Sequence, residues 1–167
     1  CWSLVGSEMC IRDSNKSDLD LWILEIGMGG RLDPMNFIEP DISVITKVAL
    51  DHQEYLGDTI EEIAAEKAEI ARPEKPLIFG SENVPNAIIE KASKVNSFLI
   101  YPEKKSYSSN KFLKKITVSR EVLFCLYEVS KNSVFDFSSE ITKQFLDDFK
   151  IFGLSLIHIS EPTRLQQ

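Results

Sequence analysis

Cysteine, histidine and positive charge are all scarce in this 167-residue chain, which has three cysteines, two histidines, and 19 basic against 26 acidic residues. The shortage of cysteine excludes a disulfide-dense scaffold and a zinc site built from thiolates, and makes a reducing cytoplasm the expected compartment. A formal net charge of -7 at pH 7 argues against nonspecific nucleic-acid binding. No apolar run approaches the length of a membrane-spanning helix, so no membrane association is expected. A complete dinucleotide fingerprint is also missing. Gly27, Gly29 and Gly30 form G-x-G-G, but the position two residues beyond Gly30 holds Leu32, which disfavours a nicotinamide- or flavin-dependent oxidoreductase. What remains is the composition of one globular domain, 43% hydrophobic and 27% charged.

The two ends do not read like the middle. Leu154 to Arg164, "LSLIHISEPTR", resembles the translation of a transposase adapter used in sequencing libraries. The reverse complement of that DNA, shifted one frame, encodes the run from Leu4 to Asp13, "LVGSEMCIRD". Residues 1–14 and 154–167 are therefore expected to be non-native tails, and 15–153 part of a central domain; tails of this kind are set aside before the fold is read. Cys1, Cys10 and His158 fall in the tails, which leaves Cys125 and His52 as the only cysteine and histidine of the interior.

Within the interior the pattern alternates between short apolar runs and helical periods, as in an α/β fold with a mostly parallel sheet flanked by helices. Strands are expected at Leu21–Ile26, Asp41–Leu50, Pro76–Gly80 and Ser97–Tyr101. Gly27 to Pro40, rich in glycine and proline, is expected to be a loop. A helix is expected from Thr59 to Ala71, with Thr59 and Glu62 as a capping box and Ile60, Ile63 and Ala64 facing inward. The same stripe carries Lys67. A second helix is expected over Asn86–Val95. Antiparallel strands are expected after about residue 112, in "ITVSREVLFCLYEVS" (Ile116–Ser130) and "SVFDF" (Ser133–Phe137).

Three chemically active groups fall near the carboxyl edge of the expected sheet, the edge where open α/β sheets bind ligands. Glu25 ends the first strand, His52 follows the second, and Lys67 lies on the inward face of the next helix. A carboxylate with an imidazole makes part of a shell for a divalent cation, completed by phosphate oxygens. Each also has a plainer role open to it. Glu25 could accept hydrogen bonds from the amides of Met28 to Gly30, His52 could be a turn residue oriented by Asp51, Lys67 could extend from a helix edge, and the glycines could serve turn geometry.

Taken in order, "LEIGMGGRLDPMN" (Leu24–Asn36) and "ISVITKVALDHQEYLGDTIEEIAAEKAEI" (Ile42–Ile70) resemble the folylpolyglutamate synthase and dihydrofolate synthase family, within the wider Mur ligase superfamily. The E-x-G-x-G-G-R-x-D block sets this family apart from its peptidoglycan relatives. The resemblance implies an incomplete Mur-ligase-type central ATPase domain from a monomeric ATP-dependent ligase. Such an enzyme joins L-glutamate to folate or dihydropteroate through an acyl phosphate. It further implies Mg2+ as cofactor, with Glu25 and His52 as metal ligands and Lys67 carbamylated to bridge the metal. Asp51 would orient His52, and Gly29, Gly30, Arg31 and Asp33 would form a loop near substrate or ATP. Another Mur-type amino-acid ligase and a noncatalytic α/β binding module are the alternatives.

The chain departs from the family pattern in two places. Pro34 and Met35 replace a pair of small residues, and Glu69 stands where glycine is usual. Glu69 and Lys67 should point about 200° apart on a helix, sparing the site. The phosphate-binding motif G-x-x-x-x-G-K-[ST] is not found in the sequence. The isolated chain is accordingly expected to release no ADP from ATP in a glutamate-dependent manner. A coupled assay that detected such release would overturn the expectation that this is a fragment lacking its phosphate cradle.

Overall fold

A computed structural model describes residues 16, 19, 21–103 and 119–133. Its centre is a three-stranded parallel sheet, β1 (Ser43–Ile45), β2 (Pro76–Phe79) and β3 (Phe98–Ile100), in the order β1-β2-β3. The register sets Ser43 opposite Leu77, Ile45 opposite Phe79 and Pro76 opposite Phe98. β2 is central, and Leu77, Ile78 and Phe79 are all essentially inaccessible. A continuous apolar run is what a parallel strand covered on both faces requires. Pro76, which has no amide hydrogen to give the ladder, occupies the first strand position.

Four helices accompany the sheet among the described residues: α1 (Gln53–Leu56), α2 (Ile60–Ala68), α3 (Asn86–Val95) and α4 (Arg120–Asn132). The core joins Ala64 and Ala68 of α2 and Ile88 and Ala92 of α3 to Ile45, Leu77 and Phe79 of the sheet. No helix among the described residues is long and apolar enough to cross a membrane.

Helix α2 begins where its sequence signature places it. The Thr59 Oγ1 accepts from the Glu62 amide at 3.2 Å, and Glu62 Oε2 accepts from the Thr59 amide at 3.0 Å and the Asp58 amide at 2.8 Å. The inward face differs from expectation at two residues. Ile63, Ala64 and Ala68 are buried, whereas Ile60 lies at the exposed rim and Lys67 is half-buried beside the stripe. The regular helix also stops at Ala68 rather than Ala71. Its end tightens into i to i-3 bonds at Glu69, Ile70 and Ala71, because Pro73 disfavours helical geometry at Arg72.

Two helices are joined end to end by side chains. Glu61 of α2 accepts from the amides of Asn86 and Ala87 at 3.1 and 2.8 Å, capping an α3 N-terminus whose own cap residue, Pro85, has no polar side chain. At the far end of α2, Glu69 Oε2 pairs with Lys91 Nζ of α3 at 2.7 Å.

Two expected elements are corrected. Leu21–Ile26 forms no strand; Leu21, Ile23 and Glu25 are exposed while Trp22, Leu24 and Ile26 are half-buried. The alternation of an extended segment is present, but no ladder partner stands beside it among the described residues. The expected strand over Ile116–Ser130 is instead, from Arg120 onward, helix α4. Ser119 caps it by accepting from the Val122 amide at 3.3 Å, and Glu121 and Lys131 lie at its favourable ends. Five apolar residues in succession, Val122 to Leu126, fit strand or helix equally by period, and the burial of Cys125 and Glu128 three residues apart shows the helical solution. Asp41–Leu50 shrinks to the three residues that find partners on β2. Residues 112–118 and 134–137 of the other expected strands lie outside the described residues. Cys125 is a free, buried thiol pushed up to about 12 by desolvation first and by the Glu121 carboxylate second, which leaves it protonated and unsuited to nucleophilic chemistry.

Hydrogen bonds from Thr59 and Asp58 hold the Glu62 carboxyl below its ordinary value of 4.5, the Thr59 side chain contributing most. A carboxylate lowered by folding stabilises the fold above its unfolded value, and that contribution is lost as pH falls through the folded value. Thr59→Ala should cost about 1 kcal/mol of stability at neutral pH. Glu62→Gln should also be less stable at neutral pH, and its difference from the parent chain should close as pH drops below 4.5. Urea denaturation followed by circular dichroism across that range checks both, and a pH-independent difference would refute the capping role of the charge.

Candidate active site

The loop from Gly27 to Glu39 is folded first by its own aspartate. Asp33 Oδ2 accepts from the amides of Gly27 and Met28 at 2.9 and 3.2 Å, and Oδ1 accepts from the Met35 amide at 2.9 Å. This last bond starts the 3-10 turn Pro34–Phe37, whose missing amide hydrogen at Pro34 costs nothing in the first turn. The amides of Gly27 and Met28 are thus engaged by Asp33, so Met28 does not serve Glu25 as one of the plainer readings had it. Glu25 is exposed, and no hydrogen bond or ion pair involving its carboxylate occurs among the described residues.

Next the loop is pressed onto the last turn of α2. An added Cβ at Gly30 would stand 2.5 Å from the Glu66 carbonyl oxygen and 3.3 Å from that of Lys67, so only glycine permits this backbone approach. Gly29 adopts a positive φ of 69° and rests against Leu56 of α1. Arg31 Nη2 meets Glu66 Oε1 at 2.9 Å. Further along, Arg72 donates to Glu39 at 3.0 Å and to Asn36 Oδ1 at 2.9 Å, and its side chain is only 13% exposed. The loop is therefore fastened to one helix end at two places, Glu66–Lys67 and Glu69–Arg72.

His52 sits where α1 starts, in the left-handed region at φ 51° and ψ 38°. That conformation is uncommon for a residue with a side chain, though histidine tolerates it better than most. Asp51 Oδ1 accepts from the His52 amide at 2.9 Å, and Asp51 Oδ2 lies 3.7 Å from His52 Nε2. The carboxylate faces the imidazole at a distance longer than a hydrogen bond. Both side chains are open to solvent.

The glycine loop links two of the predicted positions through the backbone: it follows Glu25 in sequence and lies on the carbonyl of Lys67. It also meets Leu56, at the end of α1 away from His52. Gly29, Gly30, Arg31 and Asp33 are the residues that build and seat it. Among the described residues, no three His, Cys, Asp or Glu side chains converge as a complete metal centre. The donor types, one carboxylate and one imidazole, are of kinds that a hard divalent cation accepts. Glu66 was passed over by the sequence pattern, because its partner Arg31 is 35 positions away and no local spacing signals the pair.

The family model for the Mur ligase middle domain matches residues 3–146, a span that includes most of the leading stretch read as adapter. Over 81 residues the chain is 44% identical to the dihydrofolate synthase/folylpolyglutamate synthase of Haemophilus influenzae, covering 48% of this chain and 18% of that protein. Over 84 residues it is 44% identical to the Escherichia coli protein of the same name, covering 50% and 20%. A solved bifunctional folylpolyglutamate synthase/dihydrofolate synthase from Yersinia pestis, complexed with AMPPNP and a Mn ion, superimposes with a TM-score of 0.75 at 28% identity. That match covers 86% of this chain and 38% of the other. Another, with Mn, AMPPNP and L-glutamate bound, gives 0.54 at 36% identity, covering 57% and 24%. The chain thus spans about a fifth of the length of the curated relatives named here.

Gly30→Ala should force the loop off α2, because the obstructing atoms are backbone carbonyls that cannot swing aside, and should cost about 1–3 kcal/mol of stability. Gly27→Ala meets only the Asp33 carboxylate, at 3.3 Å, and should be far milder. Equal denaturation midpoints for the two variants would refute the seating of the loop.

Proposed function

The chain belongs to the Mur ligase middle-domain family, on its folylpolyglutamate and dihydrofolate synthase branch, and from that premise we propose that it supplies part of the site of an ATP-dependent acid–amino-acid ligase. The acid is folate or dihydropteroate and the amino acid L-glutamate. The observation that carries this reading is the seating of Gly30 on the carbonyls of Glu66 and Lys67, which ties the family's loop motif to its lysine.

The residues divide the work by chemistry. Glu25 and His52 would hold Mg2+, with Asp51 restraining the imidazole. Lys67 contributes as a carbamate: the neutral Nζ lone pair forms a bond to the carbon of CO2, one C=O electron pair moves to oxygen, and a proton leaves to water. A cation at the edge of an apolar stripe would thereby become an anion able to serve a metal. Magnesium, when bound, offsets charge on the phosphate oxygens of ATP and of the acyl phosphate. The loop from Gly27 to Asp33, folded by its own Asp33 bonds and seated through Gly30, would border that charge with a fixed backbone. The amino group of glutamate then attacks the acyl carbon, and phosphate leaves.

In the parent polypeptide that contains this segment, Glu25→Gln should lower magnesium-dependent, glutamate-dependent ADP formation by at least about a hundredfold. Asp51→Asn should lower it by about 10- to 100-fold through the imidazole. Parental turnover in Glu25→Gln would remove Glu25 from the metal site.

A further inference from the structure

We propose that the Arg31–Glu66 ion pair positions Lys67 for its carbamate, an inference that rests on the carbamylated-lysine reading above. Glu66 immediately precedes Lys67, and its carboxylate meets Arg31 at 2.9 Å while its carbonyl lies under Gly30. One residue of α2 is thus gripped by the loop through both backbone and side chain. Lys67, one step along the helix, inherits that placement, since Gly30 lies over its carbonyl as well.

Charge points the same way. Carbamylation replaces the Lys67 cation by an anion next to the Glu66 carboxylate, and like charges on neighbouring residues oppose it. Arg31 offsets the Glu66 charge before the new anion forms. The other acid of this helix end does not compete for Arg31, because Glu69 is held by Lys91 at 2.7 Å. Arg31 is 60% exposed, so the pair is a peripheral clasp, and removing it leaves the apolar core intact.

The test is 13C NMR of the full 167-residue chain in 13C-bicarbonate with Mg2+, alongside thermal denaturation. A carbamate resonance is expected in the parent chain and not in Lys67→Arg. Arg31→Gln, which loses both the placement and the offsetting charge, should reduce it roughly threefold, in line with the strength of an exposed pair, and Glu66→Gln, which loses the placement but also the opposing carboxylate, should reduce it less, both at an unchanged denaturation midpoint. Exchange of the two charges, Arg31→Glu with Glu66→Arg, should restore it. An undiminished resonance in both single variants would overturn the positioning role and leave carbamylation standing. No resonance in the parent chain would overturn carbamylation and this inference with it. A loss in the single variants that tracks unfolding, with no recovery in the exchanged pair, would reduce the pair to a structural contact.

Discussion

Everything at the candidate site depends on the space between the glycine loop and the end of α2 being too small for a side chain. Gly30 lies on two helix carbonyls, a contact set by backbone shape on both sides and insensitive to rotamer. Ion pairs at this surface are weak and screened, and by themselves would leave the loop free to lift. With the backbone seated, Arg31 and Arg72 have short, fixed reaches to Glu66 and to Asn36 and Glu39, so their bonds add direction to a contact that already exists. The positive φ at Gly29 serves the same end by turning the chain under Leu56.

Helix α2 can act as the anvil for this loop because it is held on its remaining sides. Its first turn is closed by Thr59 and Glu62, its Glu61 caps α3, its Glu69 pairs with Lys91, and its apolar face of Ile63, Ala64 and Ala68 lies in the core. Five of its nine positions, Glu61, Glu62, Ala64, Glu66 and Ala68, are thus acids or small apolar residues with a fixed partner or a place in the core, which accounts for the unusual run "IEEIAAEKA" without appeal to helix propensity. Alanine at 64 and 68 lets the helix pack closely in the core, and its last turn presents the Glu66 and Lys67 carbonyls to the loop.

What was legible in the sequence was local. Thr59 and Glu62 announce a helix start because both partners lie within one turn, and α3 is bounded by proline before it and by Asn96, left-handed at φ 57°, after it. Leu77 to Phe79 announce a buried strand because nothing polar interrupts them. The errors came where local pattern is indifferent to state. Val122 to Leu126 satisfies either period, and the choice of helix is made by the Ser119 cap and by packing against β2. Leu21 to Ile26 has strand composition, but a strand exists only with a neighbour to accept its ladder. At the site, the motif order pointed to Glu25, His52 and Lys67, while Glu66, Leu56 and Arg72 escaped notice because their roles arise from residues more than twenty positions distant.

Glu69 shows how a departure from the family pattern is absorbed. A charge two positions from Lys67 would oppose an anion there if both faced the loop. The helical turn sends the two side chains about 200° apart, and the Glu69 carboxylate is drawn to Lys91 on α3, away from the loop's grip on Glu66. Its carbonyl still accepts from Arg72 and Asn36, a backbone role that glycine would fill equally well. The substitution therefore changes how α2 is fastened to α3 and leaves untouched how it is fastened to the loop. Those two attachments use separate partners, Lys91 of α3 for Glu69 and Arg31 of the loop for Glu66, so a change at position 69 leaves the loop contact as it is.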